Sequence, residues 1–277
     1  MGKLDGKVVF ISGAARGQGR SHAVRFAQEG ADIIALDICA QIDTYDIPLA
    51  TPEDLKETVR LVEATGRSIV AVEGDVRDLE VVEQTVAAGV DRFGRIDIAV
   101  ANAGGVGRLR PGWEITADEF RDVVEVNLFG PWNVAKAVIG RMLAQGDGGA
   151  IVMTSSGVVN RPFANMVHYV AAKTGVIGLV RSLAYELAPH GICVNAVLPG
   201  MVNTPLVDNP VIRKLYVPDG DGPTDEEFRA VAGAMTPMPV PWLEPQDITE
   251  GILYLVSDSG RYVTGAELTL DAGTQLF

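Results

Sequence analysis

The sequence predicts an α/β fold, a single domain over residues 1–277 built on one doubly wound, mostly parallel sheet of seven strands with helices on both faces. Three observations predict it. Short, branched, nearly continuous apolar runs alternate with helix-length amphipathic segments along the chain, as expected of strands covered on both sides. Strict strand–helix alternation implies parallel pairing through right-handed crossovers. The composition is 47% hydrophobic and 21% charged over 277 residues, which excludes global disorder and suffices for a large core.

The strand runs are 8–11, 32–36, 69–72, 96–101, 151–154, 193–198 and 267–270. Helical patterns occupy 18–28, 79–93, 117–145, 169–187 and 248–256. Gly30, Gly94 and Gly146 follow three of these and suit left-handed helix stops. Within the long 117–145 pattern, Gly130-Pro131 predicts a kink. Two segments break the rhythm. Residues 39–67 are an insertion after the second strand. There Thr51-Pro52-Glu53-Asp54 reads as an N-cap, a proline in the first turn, then acids, so a helix is expected over 52–65, stopped by Gly66. Residues 201–245 carry eight prolines and the acidic run Asp219-Gly220-Asp221-Gly222. This segment reads as an irregular lid over a substrate opening.

The net charge of −13 comes without any Lys/Arg cluster, which argues against nucleic-acid and anionic-membrane partners. The two cysteines, Cys39 and Cys193, cannot make a disulfide framework. No apolar stretch of about 18 residues is present, and the first seven residues lack a signal core. A cytoplasmic location is expected.

The first strand runs into Ser12-Gly13-Ala14-Ala15-Arg16-Gly17-Gln18-Gly19 before a helix begins. Such a turn presents backbone N–H groups and the positive helix end to a phosphate; a tight turn serving packing alone would show the same glycines. Asp37 closes the second strand, 18 residues after Gly19, where a carboxylate can accept from adenosine ribose hydroxyls. A 2′-phosphate near it costs roughly 4 kcal/mol per unit-charge pair at about 4 Å, and an exposed Arg16 recovers only about 1 kcal/mol. NAD is therefore expected over NADP. Ile38, Asp75-Val76 and Asn102-Ala103-Gly104 also follow strand ends, where ligands sit in doubly wound sheets. Tyr169 and Lys173 are four apart on one helical face, and Ser156 lies just past the fifth strand. Bringing a tyrosine near pH 7 takes roughly 3 units, about 4 kcal/mol, and a nearby ammonium acts in that direction.

With these residues in order, the chain resembles the short-chain dehydrogenase/reductase family across nearly its whole length. The resemblance rests on Gly13-x-x-x-Gly17-x-Gly19, Asn102-Ala103-Gly104, Asn127, Ser156, Tyr169-x-x-x-Lys173 and Pro199-Gly200. It implies a Rossmann-like domain that passes hydride between NAD(H) and an alcohol/ketone pair. Tyr169 would be the general base, Ser156 would position the hydroxyl, and Lys173 would lower the Tyr169 pKa and contact the nicotinamide ribose. Asn127 would hold a water linking Lys173 to solvent, and Pro199, Gly200, Val202 and Thr204 would grip the nicotinamide carboxamide. Relatives of this kind are often homotetramers built on the two long helices. The 39–67 insertion, with Gly13 to His22 and Asp54-Leu55-x-Glu57-Thr58, resembles the mycofactocin-associated, carveol-dehydrogenase-like subgroup. That subgroup implies tightly held NAD and an external redox acceptor.

His22, His168 and His190 are too scattered for a zinc site, so no metal is expected. Trp113 and Trp242 are read equally as pocket walls or loop anchors, and Cys39 as packing. Apolar lid residues, Met201 and Val202 to Met238, point to an apolar substrate. A 3-oxoacyl thioester reductase and an idle NAD-binding sensor are the rival readings. The acidic lid disfavours the first, and an intact Tyr169 and Lys173 the second.

Overall fold

A computed structural model of the chain describes residues 2–217 and 222–276. Seven strands form one parallel sheet: β1 (Val8–Ser12), β2 (Asp32–Asp37), β3 (Ile69–Glu73), β4 (Ile98–Ala101), β5 (Gly149–Thr154), β6 (Ile192–Pro199) and β7 (Glu267–Leu270). Their order is β3-β2-β1-β4-β5-β6-β7. The direction of winding reverses between β1 and β4, so a crevice opens there beyond the carboxyl ends of the strands.

The helices are α1 (Gly17–Gln28), α2 (Pro52–Glu63), α3 (Leu79–Phe93), α4 (Ala117–Val124), α5 (Gly130–Gln145), α6 (Val167–Leu187), α7 (Pro210–Tyr216), α8 (Asp225–Ala234) and α9 (Pro245–Val256). Alternate residues of each strand feed opposite faces. Phe10 and Ile34 pack with Val86 of α3, Val138 of α5 and Val180 of α6. Val9 and Ile11 pack with Phe26 of α1, Val62 of α2 and Ile252 of α9. The continuous apolar strands are thus buried on both sides.

Several boundaries follow the chemistry read from the sequence. At α2, the Thr51 hydroxyl accepts from the Asp54 N–H at 3.2 Å and Asp54 accepts from the Thr51 N–H at 2.9 Å, a reciprocal cap worth about 1 kcal/mol. Gly94 and Gly146 end α3 and α5 with φ of 80° and 74°.

Two expectations change. The 117–145 helix is not simply kinked at Gly130-Pro131; α4 and α5 are joined by a π turn over Glu125–Phe129. Pro131 has no N–H, so the Asn127 carbonyl loses the donor that an uninterrupted α-helix would give it, and the helix widens immediately before the proline. Gly130 is itself helical. Its missing side chain admits Val76, whose Cγ1 would lie 2.8 Å from a Cβ there. The second change is the lid, which holds α7 and α8 rather than irregular chain alone. Asn209 caps α7, accepting from Val211 and Ile212 N–H groups at 3.0 Å, with Pro210 in the first turn. Thr224 and Glu227 form a capping box on α8. Both signatures are legible, but the proline density masked them. Asp219-Gly220-Asp221 lies outside the described residues.

Candidate active site

Two adjoining cavities occupy the crevice. The first, about 150 Å³, is lined by Gly13, Arg16, Gly17, Gln18, Asp37, Ile38, Asp75, Val76, Asn102, Ala103 and Gly104. The second, about 160 Å³, is lined by Ser156, Tyr169, Lys173, Pro199, Gly200 and Val202. Gln18, Asn102, Gly104 and Thr204 border both. The structure therefore brings most residues singled out in the sequence to one crevice; Gly19 and Asn127 stand behind its walls.

The glycine turn serves packing and binding together. A Cβ on Gly19 would lie 2.0 Å from the Gly13 carbonyl oxygen, and one on Gly13, at φ +67°, 2.8 Å from Ala103. Those two glycines close the turn. The start of α1 has no side-chain cap and no acid in its first turn, so its first N–H groups have no partner in the helix. Among the described residues the buried Gln18 Oε1 atom has no hydrogen-bond partner. These features fit a dinucleotide.

Ser12 is a contributor whose part the sequence concealed. Its buried hydroxyl accepts from the Asn102 and Ala103 N–H groups, both at 3.1 Å, and the Asn102 amide donates to the Ser12 and Gly13 carbonyls at 3.2 Å. Asn102 thus pins the β4 end to the glycine turn. Asp37 is also tied locally: its carboxylate accepts from Ala15 N–H at 2.9 Å and Cys39 N–H at 3.2 Å. Burial raises its pKa against those bonds. Arg16, expected to be exposed, is half-buried and donates to the Pro48 carbonyl, so its charge is directed into the insertion. Asp75 holds Arg77 at 2.8 Å.

The first half of the 39–67 insertion forms part of the wall of this first cavity, while α2 does not line it. Ile42, Tyr45, Leu49 and Ala50 line it, although nothing in the sequence singled them out. Arg20 clasps the insertion to the turn, donating to the Ala15 carbonyl at 2.6 Å and the Asp54 carbonyl at 2.7 Å. Thr58 donates to the same Ala15 carbonyl at 2.9 Å.

In the second cavity, α6 presents Tyr169 and Lys173 on one face, and both are buried. Lys173 Nζ donates to the Thr154 carbonyl at 2.7 Å and stands 5.6 Å from the Tyr169 ring centroid. Asn127 is wholly buried. Its carboxamide accepts from Gly105 N–H at 3.2 Å and donates to the Gly105 and Val123 carbonyls at 2.9 and 2.8 Å. A Cβ on Gly104 would lie 2.7 Å from Asn127 Oδ1 and 3.1 Å from Lys173 Nζ, so only glycine fits between them. The expected depression of the Tyr169 pKa is not found in this arrangement. Burial pushes the phenol up to about 12, opposed by its hydrogen bond with Ser156, and pulls Lys173 down to about 7.

Neither tryptophan is a wall. Trp113 is exposed, and Trp242 anchors the lid against Phe228, ring centroids 5.7 Å apart. Apolar side chains do line the second cavity, among them Val106, Phe163, Met201, Leu206, Ile212 and Met235. Among the described residues no helix is long and apolar enough to cross a membrane.

The family model described as enoyl-(acyl carrier protein) reductase matches residues 13–275. A (−)-trans-carveol dehydrogenase of Rhodococcus erythropolis is 42% identical over 276 residues, covering 100% of both chains. The crystal structure of a carveol dehydrogenase from Mycobacterium avium in complex with NAD superposes with a TM-score of 0.98 at 49% identity, covering 100% of each chain. A short chain dehydrogenase from Mycobacterium paratuberculosis bound to NAD gives 0.91 at 42% identity, again over 100% of each.

Proposed function

The chain belongs to the short-chain dehydrogenase/reductase family, and from that premise we propose that residues 1–277 form one oxidoreductase domain that oxidises an apolar secondary alcohol to its ketone. It is an NAD-dependent enzyme acting on CH–OH donors. The observation that carries the substrate reading is the apolar cavity of about 160 Å³ with Ser156, Tyr169 and Lys173 on its wall.

What NAD supplies when bound is the hydride-accepting ring and its positive charge. The turn from Gly13 to Gly19, with Asp37, Ile38, Asp75, Val76, Asn102, Ala103 and Gly104, would hold it, and Pro199, Gly200, Val202 and Thr204 would grip its nicotinamide carboxamide. Ser156 orients the substrate hydroxyl and Tyr169 takes its proton. Asn127 and Lys173 support the transfer. Burial disfavours both the Tyr169 phenolate and the Lys173 ammonium, so the positive charge that a bound nicotinamide ring would bring acts in the direction proton transfer needs.

The part of the first cavity's wall formed by the 39–67 insertion supports tight retention of NAD, reoxidised in place by an external acceptor, as the likeness to the mycofactocin-associated subgroup implies. Phe129 at the π turn and Trp132 and Leu143 on α5 are exposed apolar side chains, which supports a homotetramer built on the long helices. We place the enzyme in the cytoplasm. The test is a screen of secondary alcohols and ketones with NAD(H), NADP(H) and an artificial electron acceptor. Turnover of apolar cyclic alcohols, fastest with the acceptor, is expected. Activity confined to acyl thioesters with NADPH would overturn the reading.

A further inference from the structure

His168 is wholly buried beside Tyr169, and the proton transfer described above does not use it. The Tyr169 backbone N–H points at Nδ1 at 2.9 Å, and Nε2 lies 3.2 Å from the Arg108 carbonyl. A neutral ring protonated at Nε2 satisfies both contacts. Burial lowers the imidazole pKa, while backbone contacts with Met166 and Arg108 act the other way.

Both bonds fall where the fold needs them. Met166, the residue before α6, gives its helix no side-chain cap, and Tyr169 lies in the first turn, where N–H groups have no partner within the helix. His168 supplies the missing acceptor, to the tyrosine itself. Its other end holds the segment after β4, in which Val106 faces the substrate cavity. That segment passes close to the ring: Gly107 sits at φ +67°, and a Cβ there would meet Val123 Cγ2 at 2.3 Å and lie 3.3 Å from Nε2. Phe120 of α4 packs on the other side, ring centroids 6.4 Å apart. The Arg108 side chain continues the link, pairing with Glu119 at 3.1 Å and Asp46 of the insertion at 2.9 Å.

We propose that His168 is a positioning residue for Tyr169, its imidazole fastening the tyrosine backbone to the cavity wall at Arg108 so that the phenol is held at one place and angle. This rests on Tyr169 as the proton-transfer group. Displacements near 1 Å cost about 10²-fold in rate, so a backbone tether of this kind acts on kcat.

The test uses the NAD-loaded protein. His168→Leu should lower kcat by roughly 10- to 100-fold while bound NAD, measured after gel filtration, stays at the wild-type ratio. In a Tyr169→Phe background the same change should cost almost nothing further, because groups acting as a unit are non-additive. Equal fractional losses in both backgrounds, or no loss in His168→Leu, would overturn the proposal alone. Full turnover by Tyr169→Phe itself would overturn the proton-transfer reading and the proposal with it. If His168→Leu does not fold, two polar variants decide. His168→Asn keeps an acceptor near the Nδ1 position, whereas His168→Gln keeps a polar group only near Nε2. Asn should be the faster; equal rates or the reverse order would overturn the proposal.

Discussion

At the residue scale, a buried ionisable side chain acts through what it touches. Tyr169→Phe removes one hydroxyl, so NAD should stay bound while turnover falls at least ~10²-fold, the low end for general acid–base catalysis. Ser156→Ala should show the same separation of binding from turnover. Steady-state kinetics beside bound-cofactor measurement check both. Asp37 should decide between dinucleotides: a 2′-phosphate would meet a buried carboxylate, while Arg16 is engaged with Pro48. NAD should give the higher kcat/KM, and Asp37→Ser should narrow the difference. His22 contributes to acid sensitivity. It is fully buried, one nitrogen meets Thr249 Oγ1 at 2.8 Å, and the other has no hydrogen-bond partner among the described residues. Burial pulls its pKa down to about 3. Between about pH 6.5 and 3 the unfolded chain binds a proton that the fold refuses, so stability falls as pH falls through that window. The loss should be roughly 2 kcal/mol between pH 6.5 and 5. Urea melts at the two pH values should show a fall in stability in the wild type that is reduced in His22→Gln, the remainder coming from His168, whose pKa burial also lowers.

At the element scale, the insertion and the π turn set the shape of the site. The Arg20–Ala15–Thr58 cluster fastens α2 to the glycine turn, which links the insertion to the proposed phosphate-binding loop. Arg20→Met removes charge-assisted bonds worth about 1.5–3 kcal/mol each. Release of NAD should then accelerate by about 10-fold or more, since affinity changes appear mostly in the off-rate. Stopped-flow displacement of bound NADH measures it; an unchanged rate would make the insertion a surface elaboration. The π turn keeps the Asn127 carboxamide locked against Gly105 beside the Pro131 interruption, which places that residue behind Lys173.

For the whole molecule, the outer faces of the long helices carry exposed apolar side chains, on which the proposed tetramer would be built. Phe129 and Trp132 are 52% and 38% exposed, and burying them gains roughly 25 cal/mol per Å². Light scattering should give about four times the 29.4 kDa chain mass, and Trp132→Glu should shift it to smaller species. A monomeric wild type would remove the proposed assembly.

The order of strands and helices was legible in the sequence because burial on both faces imposes continuous apolar strands. Helical spacing put Tyr169 and Lys173 on one face, and strand ends placed the glycine turn, Asp37 and Ser156 at one edge of the sheet; their roles came from the resemblance of the ordered motifs to the family. Tertiary structure decided the rest. Ile42, Tyr45 and Leu49 reach the cleft only through the return path of the insertion, which no periodicity encodes. Ser12 and His168 carry their weight through backbone groups distant in sequence, 90 residues away for Asn102 and 60 for Arg108. The direction of the Tyr169 shift likewise belongs to the fold, because burial acts on both Tyr169 and Lys173, and depth is a property of packing rather than of spacing.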